Sequence, residues 1–241
     1  MDLSEPGARL IVDRLPAAGA ACRITGEEVA HAHARRLASG DAIVLVDGSG
    51  REAVGRLTRR QRRELEVFVE SIRVASVQAH APISLGVAAI RGERLGWVAE
   101  KATELGAARL TLLTSERTQS FRASQRLVPR LERVVREAAK QSERARWPAI
   151  VGPVALSEIF RSESSKNRLM LDPSGEVFPS LLRAESTALL VGPEGGWSDR
   201  ERDGAIASGW RIVSLAAGKL RAETAAVAAL ILAQAALARK T

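Results

Sequence analysis

The stretch Leu190-Val191-Gly192-Pro193-Glu194-Gly195-Gly196-Trp197-Ser198-Asp199-Arg200-Glu201 constrains the fold more than any other part of the chain. The apolar run before it, Thr187 to Val191, reads as a buried strand. Ser198 and Glu201 have the Ser-x-x-Glu spacing of a capping box, so a helix starts directly after the loop. Strand, glycine-rich loop and helix in that order present bare backbone to a ligand at the carboxyl edge of an α/β sheet. The loop fits neither Gly-x-Gly-x-x-Gly nor Gly-x4-Gly-Lys-Ser/Thr, which argues against a phosphate cradle. Taken alone, it is better read as a tight β–α connection with a capped helix.

The pattern changes near Ala79-His80-Ala81-Pro82. Before it, short β segments dominate: Arg9 to Val12, Ile43 to Val46, Ala53 to Leu57 and Leu65 to Val69, with a short helix over Glu27 to Leu37. Pro16 to Gly19, Ser39 to Asp41 and Asp47-Gly48-Ser49-Gly50 supply the turns. The last of these is superficially similar to a cofactor loop, but a strand follows it, so it is a hairpin turn. Small strands at close spacing predict a small β-barrel. After Pro82, strands and helices alternate as a parallel α/β sheet requires. The strands are Ile83 to Ile90, Arg109 to Leu113, Arg168 to Leu171, Thr187 to Val191 and Arg211 to Leu215. Helices fill Glu93 to Leu105, Gln125 to Arg144 (begun or kinked at Pro129) and Ala222 to about Arg239. The domains are therefore residues 1–76 and 82–241. The last helix is apolar on more than one face, so it is buried on several sides; cover by the sheet and a second subunit fits this pattern, and so does an ordinary core helix.

Composition narrows the function. No apolar run is long enough to cross a membrane, and the N-terminus lacks a basic-then-apolar leader. A single cysteine, Cys22, allows no internal disulfide, and His31, His33 and His80 do not make a zinc site. The expected protein is cytoplasmic and metal-free. The formal charge of +8 is uneven. Residues 1–80 carry 12 basic and 11 acidic side chains; residues 81–241 carry 24 and 17. Between Arg109 and Arg146 ten basic residues face four acidic ones. Such a face attracts a polyanion without reading its sequence; solvated helix faces of an arginine-rich chain explain it equally well. Four Trp, four Phe and no Tyr argue against an aromatic platform for several bases.

A second loop, Ser214-Leu215-Ala216-Ala217-Gly218-Lys219-Leu220-Arg221-Ala222-Glu223-Thr224-Ala225, follows another short apolar run and leads into the last helix. Together the two loops resemble the ligand loops of the SPOUT class of methyltransferases. More narrowly, they resemble the RsmE family, which methylates N3 of a uridine in 16S ribosomal RNA. Lys101-Ala102-Thr103-Glu104-Leu105-Gly106, Ser115-Glu116-Arg117 and Glu137-Ala138-Ala139-Lys140-Gln141-Ser142-Glu143-Arg144 follow the family's other blocks in order. The resemblance covers residues 82–241 well and 1–80 more loosely.

The resemblance implies a PUA-like RNA-binding barrel followed by a SPOUT domain with a C-terminal trefoil knot, acting as a homodimer on the small ribosomal subunit. It implies S-adenosylmethionine as methyl donor, held by Leu171, Leu190, Val191, Gly192, Pro193, Glu194, Gly195, Gly196, Leu215, Leu220 and Thr224. Leu171-Asp172-Pro173 is the third strand-end loop of that pocket. RNA contact falls to Arg117, Arg122, Arg136, Gln141 and Arg144. The reaction is an in-line displacement at N3, where alignment alone can be worth roughly 7–11 kcal/mol. Arg221 stays protonated, so it serves charge stabilisation or phosphate clamping, not proton removal. Glu223 accepts the proton, orients Arg221, or is simply a first-turn acid favoured by the helix dipole. The chain departs from the family at Ala216, Gly218 and Lys219, where the family has glycine, arginine and an aliphatic residue; Lys219 either replaces the missing charge or marks weakened cofactor binding. The first domain departs too, reading Ala34-Arg35-Arg36-Leu37 before Gly40-Asp41. Two other readings fit: a SPOUT methyltransferase with another RNA target, and a non-catalytic RNA-binding or ribosome-assembly protein that kept the fold.

Overall fold

A computed structural model describes residues 8–75, 81–88, 92–118, 126–215 and 218–238. The chain divides into two units, one of residues 1–78 with 139–147, the other of residues 79–138 with 148–241.

The first unit is a curled, mixed five-stranded sheet. Its elements are β1 (Ala8–Ile11), β2 (Ala21–Thr25), α1 (Glu27–Ala34), β3 (Ala42–Val46), β4 (Arg51–Arg60) and β5 (Glu64–Val74). The strand order is β1-β3-β4-β5-β2, with β1 parallel to β3 and the other pairs antiparallel. The expected barrel is thus an open one, with β1 and β2 as its edges. β2 escaped the sequence reading because Ala21-Cys22-Arg23-Ile24-Thr25 buries only Ile24 and carries no apolar run. The helix stops at Ala34 rather than Leu37, and Arg36 takes the left-handed conformation there (φ 57°). Asp47 to Gly50 does form the β3–β4 hairpin turn, with Val46 opposite Glu52. Both faces of β3 are covered, which is why Ala42 to Val46 lacks polar alternation. Ile43 and Leu45 join a core with Leu10, Leu57, Leu65 and Val67. Val44 and Val46 pack on the other side with Ala145 and Trp147. Residues 139–147 join this unit through specific bonds: Gly50 N donates to Ala145 O (3.0 Å), Arg146 Nη2 donates to Ser49 O (3.0 Å), and Lys140 pairs with Glu28.

The second unit is a six-stranded, all-parallel sheet with helices on both faces. Its elements are β6 (Ile83–Ala88), α2 (Gly92–Glu104), β7 (Arg109–Thr114), α3 (Leu127–Gln141), β8 (Ala149–Ala155), α4 (Leu156–Ser162), β9 (Asn167–Val177), β10 (Thr187–Val191), α5 (Asp199–Ala207), β11 (Arg211–Ser214) and α6 (Ala222–Ala238). The last turn of α3 belongs to the first unit. Strand order is β11-β9-β10-β6-β7-β8, so β9, β10 and β11, whose carboxyl ends carry the ligand-loop candidates, are neighbours. α4 and α5 cover one face through Leu156, Trp197, Ala205 and Trp210. α2 and α6 lie together, α6 also packing on β10 and β6. Pro129 sits in the first turn of α3 and opens it, as its missing N–H allows. β8 and α4 were missed because Ala149 to Ala155 alternates exposed and half-buried residues around Gly152-Pro153. Leu171-Asp172-Pro173 is a wide bulge inside a strand, not a strand-end loop. Met170 pairs with Ile212 and Glu176 with Val213, so residues 171–175 swing out of register. Pro173, lacking an N–H, suits a bulge.

One buried charge cluster ties the first unit together. Glu52, nearly inaccessible, accepts from Arg9 Nη2 (2.8 Å) and Arg73 Nε (2.9 Å). Burial alone raises its pKa; hydrogen bonds and charge from Arg9 and Arg73 outweigh burial and hold it below the ordinary glutamate value. A carboxylate with a depressed folded-state pKa adds stability above its unfolded pKa and loses it as pH falls through the folded one. Glu52→Gln is therefore expected to cost about 2–3 kcal/mol at neutral pH. The difference from wild type should shrink once pH drops below about 4.3. Thermal denaturation of both proteins across pH 3–7 checks this; a gap that does not vary with pH would refute it.

Candidate functional site

The β9 bulge and the carboxyl ends of β10 and β11 open onto a cleft of about 530 Å³, within the range of small-molecule sites. Its walls come from five chain segments of the second unit. The β9 bulge gives Leu171 to Pro173, β10 and its loop give Val191 to Trp197, α5 gives Arg202, the run from the end of β11 into α6 gives Val213 to Leu215, Gly218 to Ala222 and Ala225, and the loop after β7 gives Arg117. The lining is mainly apolar (Leu171, Val191, Pro193, Leu215, Leu220), with arginines at Arg117, Arg202 and Arg221 and acids at Asp172 and Glu194.

Trp197 organises the loop after β10. Its ring is buried and its Nε1–H donates to Leu171 O (2.9 Å), joining that loop to the β9 bulge. Gly192 lies against the ring: a Cβ there would come within 3.0 Å of it. The turn closes with Gly196 N donating to Pro193 O (2.8 Å), and Gly196 has φ 70°, a conformation that favours glycine. The chain then enters α5 through the expected capping box, Ser198 Oγ accepting from Glu201 N and Glu201 Oε2 from Ser198 N. The other carboxylate oxygen of the buried Glu201 accepts from Glu116 N (2.8 Å). A single acid thus caps α5 and anchors the Ser115-Glu116-Arg117 turn, itself closed by Thr118 N donating to Ser115 O. Held there, Arg117 donates from Nη1 to Gly195 O (3.0 Å). Asp172 accepts from Ser174 N (2.9 Å) and pairs with Arg202 Nη1 (3.4 Å), which also donates to Trp197 O (2.9 Å).

Of the cofactor candidates, Leu171, Val191, Gly192, Pro193, Glu194, Gly195, Gly196, Leu215 and Leu220 line the cleft. Leu190 does not: strand alternation turns it to the α5 face, where it packs with Trp197 and Trp210. Thr224 is exposed and off the cleft wall. Arg221 lines the cleft, exposed, and its side chain has no hydrogen-bond or ion-pair partner among the described residues. Glu223 does not line it; its Oε1 lies 3.5 Å from Arg94 Nε on α2. Arg94 Nη1 is also 3.5 Å from Glu194 Oε1. Arg94 carried no signal in the sequence, because only the packing of α2 brings it to these loops. Lys219 stands exposed on the cleft wall, while Ala216 and Ala217 lie outside the described residues.

The RNA-contact candidates are dispersed. Arg117 joins the cleft, Arg136 is exposed on α3 in the second unit, and Gln141 and Arg144 belong to the segment that joins the first unit. Arg122 lies outside the described residues. The sequence reading missed a different basic cluster. In the first unit, His33 Nε2 meets Gln61 O (3.0 Å) and Arg60 Nη1 donates to Leu37 O (2.5 Å), tying the end of α1 to the β4–β5 turn. Arg35, Arg36, Arg62 and Arg63 are exposed there, and their side chains have no partner among the described residues. A near-neutral net charge over residues 1–80 hid this polarity. Among the described residues, no group of His, Cys, Asp or Glu is placed to hold a metal and no helix is long and apolar enough to cross a membrane.

Residues 77–234 match the RNA methyltransferase domain family, and residues 24–70 match the RNA methyltransferase PUA domain family. The chain is 33% identical to ribosomal RNA small subunit methyltransferase E of Mycobacterium bovis over 232 residues, covering 91% of this chain and 88% of that protein. It is 32% identical to the protein of the same name from Synechocystis over 206 residues, 81% of this chain, and spans 66% of that relative's length. Among solved structures, ribosomal RNA small subunit methyltransferase E of Neisseria gonorrhoeae bound to S-adenosyl methionine matches with TM-score 0.85 and 25% identity, over 94% of this chain and 96% of that one. A putative methyltransferase of Legionella pneumophila, in complex with bound S-adenosylmethionine, matches with TM-score 0.83 and 27% identity, over 95% and 97%.

Trp197→Phe keeps most of the ring but removes the N–H that joins the loop after β10 to the bulge. A lost hydrogen bond that leaves a buried acceptor unsatisfied costs about 1–3 kcal/mol. Chemical denaturation is expected to show a loss of that size, and unchanged stability would mean the bond does not hold the cleft.

Proposed function

The chain belongs to the ribosomal RNA small subunit methyltransferase E family, and from that premise we propose that it transfers a methyl group from S-adenosylmethionine to N3 of a uridine in 16S ribosomal RNA. The observation that carries the proposal is the cleft itself: a strand bulge and two neighbouring strand ends supply an apolar slot edged by loop amides, with an arginine at its rim that has no partner among the described residues.

The residues present fit that donor. Leu171, Val191, Pro193, Leu215 and Leu220 give apolar surface of the kind an adenine ring occupies, and the backbone of Gly192, Gly195 and Gly196 offers hydrogen-bonding groups to its polar edge. When bound, S-adenosylmethionine supplies an electrophilic methyl group on a sulfonium. The protein must do the rest. Neutral uridine carries a proton on N3 and is a poor nucleophile there, so the site must favour the deprotonated ring. Loss of that proton spreads negative charge onto the two flanking carbonyl oxygens. Arg221, always protonated and with no side-chain partner among the described residues, supplies the matching positive charge. Lys219, one residue along from Gly218, where the family has arginine, offers a second cation. Arg117 keeps the loop after β10 shaped through Gly195 O.

The RNA backbone meets the protein at two arginine-bearing surfaces. One is the cleft rim with Arg117 and Arg221. The other is the first unit's Arg35, Arg36, Arg62 and Arg63, which supports an RNA-binding role for that unit. Arg136, Gln141 and Arg144 add to this contact. The protein works as a homodimer in the cytoplasm, where ribosomal subunits are assembled; Ile231 and Leu232, large apolar side chains exposed on α6, support a subunit contact there. The return of the chain from the edge strand β11 to α6 against β10 and β6 supports a knotted path.

Radiolabelled methyl transfer to small ribosomal subunits from cells lacking this protein tests the proposal. Mass mapping is expected to find one N3-methyluridine; no transfer, or a methyl on another atom, would overturn it. Arg221→Ala should lower kcat about 100-fold or more, the scale of removing one charge-stabilising donor. Affinity for S-adenosylmethionine should stay within about threefold, because the arginine acts on the substrate ring. Equal losses in both quantities would place Arg221 on the cofactor instead.

A further inference from the structure

We propose that Arg94 is a positioning residue that straps the two cofactor loops together, and that Glu223 acts through this strap rather than as the proton acceptor. The inference rests on the reading of the cleft as the S-adenosylmethionine site. Arg94 lies near the start of α2, outside the cleft. Its guanidinium faces two carboxylates from separate chain segments, Glu194 of the loop after β10 and Glu223 of the first turn of α6, each at 3.5 Å. Those segments supply most of the cleft wall, and no hydrogen bond between their side chains spans them among the described residues. A guanidinium is suited to this bridging because its planar fork presents donors in several directions at once.

The orientation of Glu223 argues against proton transfer. The side chain is mostly buried, 14% exposed, and turned toward α2 instead of the cleft. A general base must come within hydrogen-bond reach of the proton it takes. Its second oxygen, Oε2, is buried with no partner among the described residues. Arg94 has unused donors, so a small inward movement of the guanidinium satisfies that oxygen and draws the start of α6 toward the loop after β10. The opposite end of α6 is held to the same helix by Gln234, whose side-chain amide donates to Leu105 O just past the end of α2. α6 is thus fixed to α2 at both ends, and Arg94 is the fixing point next to the cleft. Arg94 and Glu194 are 38% and 52% exposed, so the pairs add little to global stability. Their effect is on loop geometry.

A double-mutant cycle on the full-length protein tests this. Calorimetry with S-adenosylmethionine is run on wild type, Arg94→Gln, Glu223→Gln and the double variant, with thermal melts to confirm folding. Each single change is expected to weaken binding about five- to tenfold, and the double no more than the worse single. KM for ribosomal subunits should stay unchanged. Arg94→Lys should recover part of the loss, since a lysine can engage one carboxylate but not both. The Glu223→Gln enzyme should keep the pH–rate profile of wild type. Losses that multiply in the double variant would overturn the strap, as would unchanged affinity in both singles. A Glu223→Gln enzyme with normal affinity and a missing limb in its pH–rate profile would restore Glu223 as the base. If wild type methylates RNA but the cycle is additive, only the strap falls. If wild type binds no S-adenosylmethionine, the reading of the cleft falls with it.

Discussion

Trp197 donates its indole N–H to the carbonyl of Leu171, and the cleft is built around that bond. A glycine-rich loop is by nature free to take many conformations, and ordering it costs roughly 1–2 kcal/mol per residue in backbone entropy. The chain limits this freedom by covering Gly192 with the buried indole, closing the turn at Gly196 and starting α5 at once with a capping box. The same bond fixes the β9 bulge, which is the facing wall. Two loops from adjacent strands become one rigid surface because one aromatic side chain is shared between them. Glu201 extends the arrangement to the loop after β7 by serving two backbone N–H groups with its two oxygens.

The polar groups of the second unit divide by burial, and the division follows their work. Glu201 and Asp172 are buried and engaged with backbone N–H, hydroxyl or guanidinium partners. They hold geometry, since an unsatisfied group at such depth would be costly. Arg221 and Lys219 are exposed on the cleft wall, and Arg221 has no side-chain partner among the described residues. A cation left unpaired beside an apolar slot keeps its full charge available to an anion that arrives there. The first unit follows the same rule: Arg9 and Arg73 neutralise buried Glu52, while Arg35, Arg36, Arg62 and Arg63 are exposed and have no side-chain partner among the described residues.

Elements whose signal is local were legible in the sequence. Thr187 to Val191 was read to the residue, because an apolar pentapeptide between turn residues has one reading in an α/β chain. The Ser198–Glu201 cap was legible for the same reason: both partners lie within one helical turn. What depends on distant packing was not. Ala21 to Thr25 is a strand because β5 pairs with it, not because of its own composition. Leu171 to Pro173 looked like a strand end, yet β11 re-forms the ladder beyond it. Leu190 was assigned to the pocket by its position in the motif, but the alternation of a strand buried on both faces turned it into the core. Net charge misled over the first 80 residues, since a sum cannot register that acids pair inside while arginines gather at one hairpin.

The α2–α6 pair shows why two neighbouring motif residues can face different surroundings from those a linear reading suggests. Arg221 and Glu223 are two residues apart, and in sequence they look like a catalytic pair. At the start of a helix, however, residues i and i+2 point to different sides. One must face the cleft if the other faces the neighbouring helix. Arg221 takes the cleft and Glu223 takes α2, where Arg94 meets it. The helix geometry therefore leaves the exposed cation on the cleft wall and the half-buried carboxylate against α2. It also makes the first turn of α6 the place where the packing of α2 reaches the cleft wall.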